Sequence, residues 1–131
     1  MAEVKTKIQP CIFMTELIAG FLVQKIGILP VKKIIEKILP SELSHAFKYS
    51  QEGVKIGAQC ADFGERLKRL HDELYEFSET FFGIHLARDI WIKAIFEVRR
   101  EFGDDIMSKL VKDGLVPLIV SAHGITFVGT A

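Results

Sequence analysis

Apolar residues recur along this chain with periods that change from block to block, and the period assigns most of the elements. From Pro10 onward, Phe13, Met14, Leu17, Ile18, Phe21 and Val23 give apolar cover on nearly every side. That predicts a core helix, opened by a proline at its first turn and stopped by Gly27 and Pro30. Between Val31 and Leu39, Val31, Ile34, Ile35 and Ile38 make one face and Lys32, Lys33, Glu36 and Lys37 the other, so a short amphipathic helix ending at Pro40 is expected. Ser41 then reads as the N-cap of a helix through Leu43, Ala46 and Phe47, with Gly53 and Gly57 as weak points.

The most regular pattern follows. Ile56, Cys60, Phe63, Leu67, Leu70, Leu74, Phe77 and Phe81 alternate four and three apart, which predicts one long central helix from about Val54 to Phe82 with a seam of period 3.5, capped by Gly83. The large rings at Phe63, Phe77 and Phe81, and the glycines at 57 and 64 beside the seam, suit the core face of a bundle better than a two-stranded zipper. Ile84 to Phe102 reads as a second long helix burying Ala87, Trp91, Ala94, Ile95, Val98 and Phe102, and Asp104 as the cap of a shorter one from Asp105 to Lys112. The period then drops to two. Leu118 to Ala122 and Ile125 to Val128, about His123-Gly124, predict a C-terminal β-hairpin at about 117–129. A lone hairpin is marginal in water, so this one must lie on its own helices or pair with another chain. The expected fold is mainly all-α: a single domain over 1–131, a helical bundle of about five or six helices with a long central helix and that hairpin.

Composition adds three constraints. The chain has 131 residues, enough for one core without staples, and apolar residues are 49% of it at a mean hydropathy of +0.25. That is high for a small water-soluble protein, and implies that some apolar surface meets a partner. Lys+Arg and Asp+Glu are 17 each, so no broad field draws nucleic acid or an anionic membrane. The apolar stretch from Cys11 to Val23 is broken by Thr15 and Glu16 and is short of the roughly 20 residues a membrane span requires, so no stable membrane insertion and no signal peptide are expected. The expected location is cytoplasmic, with Cys11 and Cys60 as reduced thiols. Asn is absent from the chain while Ile, Lys and Glu abound, a bias found in proteins of thermophiles.

Chemistry has two candidate sites. His71, Asp72, Glu76 and Glu79 lie close together in sequence, and the three carboxylates share a helical face on which they could meet a metal or cationic partner. A di-metal carboxylate site, however, needs Glu-x-x-His pairs that this chain lacks. Phe77, Phe81, Phe82, His85 and Trp91 could wall an aromatic pocket near the end of the long helix, with His85 at its edge. There is no His-Glu-x-x-His, phosphate-binding glycine loop or nucleophile elbow, so no catalytic residue and no cofactor is assigned. These patterns point to a non-enzymatic self-association module, a homodimer or the binder of a protein partner. The alternative is a small-ligand or metal-binding domain, possibly an enzyme, built on the aromatic pocket.

Overall fold

The computed structural model describes residues 9–57 and 65–116. Within them the chain is mostly helical, with one small antiparallel sheet: α1 (Pro10–Ile26), α2 (Ile28–Ile38), α3 (Ser41–Ser44), β1 (Phe47–Ser50), β2 (Gly53–Ile56), α4 (Glu65–Phe82), α5 (Ile84–Phe102) and α6 (Asp104–Lys112). The expected C-terminal hairpin lies outside the described residues, as do seam positions Cys60 and Phe63.

The long central helix from Val54 is corrected. Residues 47–56 form a hairpin with the register Phe47 to Ile56, Lys48 to Lys55, Tyr49 to Val54 and Ser50 to Gly53. The apolar residues here alternate: Phe47, Val54 and Ile56 are buried and Tyr49 half-buried, while Lys48, Ser50 and Lys55 face out. Ile56 fits the heptad spacing and the strand alternation equally well. Gly53 and Gly57 flank β-branched Val54 and Ile56, which weakens a helix here and suits a pleated, half-buried surface, and the packing of the hairpin on α1 selects the strand. The Ile56 N–H, which a helix would satisfy internally, instead donates to Glu16 Oε2 on α1 at 2.8 Å. The helix expected from Ser41 to Phe47 accordingly stops at Ser44, and its N-cap is Pro40.

The helix at the centre is α1, which packs against β2, α2, α4, α5 and α6. Its all-round apolar cover becomes buried surface at Ile12, Met14, Ile18, Ala19, Leu22 and Val23. β2 passes beside Gly20: a methyl group there would make ordinary contact with the Cα of Gly53 at 3.6 Å. The helix α2 begins directly after Gly27 rather than at Val31, because Pro30 falls in its first turn, where N–H groups have no intrahelical acceptor.

Three corners share one construction. Gly27 (φ 92°, ψ 171°), Gly83 (φ 93°, ψ 163°) and Gly103 (φ 94°, ψ 168°) each join two helices as a single residue in a region open essentially to glycine alone. At Gly83 the N–H closes α4 on Glu79 O and the carbonyl opens α5 by accepting from Ala87 N; Gly103 does the same between Arg99 O and Met107 N. Arg99 also reaches across its corner to Asp104 at 2.7 Å.

Helix directions place the ends of the molecule. Phe13, early in α1, makes an edge contact at 5.4 Å with Phe102, the last residue of α5, so α1 and α5 run antiparallel. Since α4 and α5 are joined by one residue and pack together, α4 runs alongside α1 in the same sense. The Gly27 and Gly83 corners therefore lie at one end, and the starts of α1 and α4 at the other. No helix among the described residues is long and apolar enough to cross a membrane.

Candidate functional site

The polar centre of the molecule is His71, fully buried on α4. The buried stripe of that helix is Leu67, Leu70, His71, Leu74, Tyr75 and Ser78, which brings an imidazole into the core beside the leucines of the seam. Its Nδ1 lies 2.6 Å from Leu115 O, and because a carbonyl only accepts, the proton sits on Nδ1. The Nε2 lone pair faces Thr15 Oγ1 at 2.8 Å, and that hydroxyl is also 2.8 Å from Cys11 O, to which it donates. With a neutral ring, one hydroxyl proton serves two acceptors. Burial pushes the imidazole down to about 4, against the smaller upward effect of its bond to Leu115, so the ring is neutral at pH 7. His71, a candidate beside the carboxylates Asp72, Glu76 and Glu79, turns inward and ties α1 to the turn after α6.

Beside this triad lies a cavity of about 680 Å³ between the start of α1, the first turn of α4, α6 and Leu115. Pro10, Leu67, Ile106, Leu110 and Leu115 supply apolar walls, and Glu65, Lys68, Lys109 and Asp113 stand at the rim. The rim charges pair within their own helices or turns, Lys68 with Glu65 at 3.4 Å and Lys109 with Asp113 at 3.2 Å. Gly114, left-handed at φ 83°, has Lys68 laid against it: a Cβ there would meet Lys68 Cε at 2.8 Å. A smaller hollow of about 370 Å³ lies between α1 and the hairpin, edged by Glu16 and Lys55. Burial raises the Glu16 carboxyl, while the Ile56 N–H and Lys55 act the other way.

The opposite end is apolar and exposed. Leu29 is 71% exposed, Phe81 59%, and Ile84 and Leu86 38% each. Phe77 and Phe81 stack at 5.3 Å, and Phe81 meets Phe82 edge-on at 5.4 Å. The seam is thus core through Leu67, Leu70 and Leu74, half-buried at Phe77 and open to solvent at Phe81.

The sequence candidates separate in space. Trp91 is fully buried in edge contact with Tyr75 at 5.2 Å, whereas His85 is exposed. Both Trp91 Nε1 and Tyr75 Oη are buried without a hydrogen-bond partner. Asp72 and Glu76 face solvent and Glu79 is half-buried, while His71 points inward, and no three of His, Cys, Asp and Glu among the described residues converge to hold a metal ion. Cys11, expected as a reduced thiol, is disulfide-bonded; the chain's only other cysteine, Cys60, lies outside the described residues. Sequence reasoning missed Thr15 and Leu115. The signal for Thr15 was its place in an otherwise apolar helix, where a buried hydroxyl needs a partner; nothing local marked Leu115. No family model, curated protein or solved structure matches this chain.

Proposed function

We propose that this chain is a non-enzymatic self-association module whose copies meet through the end that carries Leu29, Phe81, Ile84 and Leu86. The observation that carries the reading is Phe81, a large ring 59% exposed among other exposed apolar side chains, in a position that the heptad pattern had marked as core. Exposed apolar side chains gathered at one end mark an association surface more than scattered ones do. A two-fold contact sets each copy's Phe81 on the other's apolar end, and a formal net charge of +0 leaves no long-range repulsion to overcome.

Sedimentation velocity over a wide concentration range tests this. A dimer is expected, and Phe81→Glu should weaken it. Burying the exposed part of that ring is worth about 1–2 kcal/mol per copy, so the two copies together predict at least about a 30-fold rise in Kd. A strict monomer at high concentration would overturn the proposal. The helical bundle and the C-terminal hairpin, whose edge offers a second contact, belong to the same reading. So does a cytoplasmic setting in a thermophile: disulfides are rare in mesophile cytoplasm but occur inside hyperthermophiles, which reconciles the Cys11 bond with the lack of Asn.

One observation favours a ligand-binding reading instead. The unpaired Trp91 Nε1 and Tyr75 Oη, side by side in the core, are two polar atoms that a small polar ligand or water could satisfy. Titration with a ligand that quenches Trp91 fluorescence without changing the oligomeric state would support it.

A further inference from the structure

We propose that the cavity between α1, α4 and α6 is a binding site for an apolar carboxylic acid, with the carboxylate on Lys68 and the hydrocarbon on Pro10, Leu67, Ile106, Leu110 and Leu115. Its volume of about 680 Å³ falls in the range of small-molecule sites, and its walls are mainly apolar with the charges confined to the rim. Of the four rim charges Lys68 is the least exposed, its side chain at 41% against 86% for Glu65, 71% for Lys109 and 51% for Asp113. The hollow left by Gly114 holds the Lys68 stem in that position. The Lys68–Glu65 pair is solvent-exposed and so worth little, which lets a ligand carboxylate replace Glu65 at small cost. A carboxylate seated at the edge of an apolar cavity is also less screened than one in open water.

The site is braced from below. Cys11 and Leu115 both line the cavity, and both carbonyls belong to the same buried chain of hydrogen bonds: Cys11 O, Thr15 Oγ1, the His71 ring, Leu115 O. Two of the lining residues are therefore tied to one another through the core. The site lies at the opposite end from Phe81, and its occupation is independent of the association proposed above.

Isothermal titration with decanoate and with decanol, each below its aggregation limit, tests the assignment on the full chain. Decanoate should bind at least tenfold more tightly than decanol. Lys68→Met, which keeps much of the stem packed against Gly114 but removes the charge, should abolish that preference. Thr15→Val, which cuts the brace, should weaken both ligands. Methyl resonances of Leu67, Leu110 and Leu115 should shift on titration. Absence of decanoate binding, an unaltered preference in Lys68→Met, or shifts confined to the Phe81 end would each overturn the proposal.

Discussion

Replacing His71 by Leu removes the one imidazole that the fold holds in its interior. In the folded chain this ring titrates at about 4, against 6.5 for an unperturbed histidine, because burial penalises the cation. The unfolded chain therefore binds a proton between those values that the folded chain refuses. The resulting contribution to stability is fully present above about pH 6.5 and is lost as the pH falls toward 4. At 1.36 kcal/mol per unit, the whole effect is about 3 kcal/mol, and the ring is fully buried, so no screening discount applies. Urea unfolding followed by circular dichroism, from roughly pH 4.5 to pH 8, measures it as the difference between the wild type and His71→Leu. The Glu16 and Asp72 carboxyls, both raised by burial, act with the opposite sign, but they are common to both proteins and cancel in the difference. The wild type should hold its largest advantage near pH 8, including the cost of leaving Leu115 O unpaired in the variant, about 1–3 kcal/mol. That advantage should shrink steadily as the pH falls. A difference that stays constant across the range would refute a neutral, buried His71.

Other outcomes follow from the same geometry. Gly83→Ala places a methyl group on a corner at φ 93° and should cost about 1–3 kcal/mol in urea unfolding, whereas Gly20→Ala sits in a helix where the added methyl group makes ordinary contact with Gly53 Cα at 3.6 Å and should gain about 0.5–1 kcal/mol. Equal signs for the two would contradict the corner assignment. Glu16→Ala leaves the Ile56 N–H without its acceptor and should lower stability by about 1–3 kcal/mol, with amide exchange quickening first in β1 and β2. Reduction of the Cys11 disulfide should lower stability by about 2–4 kcal/mol, and Cys11→Ser should show no further response to reductant; a wild type indifferent to reductant counts against that bond.

Much of the helical content was legible because helices of this kind declare themselves locally. Pro10, Gly27, Gly83 and Gly103 punctuate the chain by backbone rules that involve no distant partner, and α5 appears between its two glycines as expected. The seam was legible only in part. Leu67, Leu70 and Leu74 are core as read, but Ile56 satisfies period 3.5 and period 2 alike, and the competition was settled by α1, whose Gly20 and Glu16 receive the hairpin. Along one segment, a residue that fits two periods carries no information about which neighbour will cover it.

The sites divide in the same way. Sequence alone determined which residues are titratable, aromatic or left-handed, and that no local catalytic motif is present. Only the tertiary structure decided that α1 is the central helix, that His71 turns inward to Thr15 and Leu115, and that the Phe81 end of the seam stays uncovered. The physical reason is range. Caps, corners and helix faces are fixed by contacts within about four residues, whereas Thr15 and His71 are 56 residues apart and His71 and Leu115 are 44 apart. Their hydrogen bonds exist because the packing of the apolar faces brought them together, and no period in the sequence encodes that meeting.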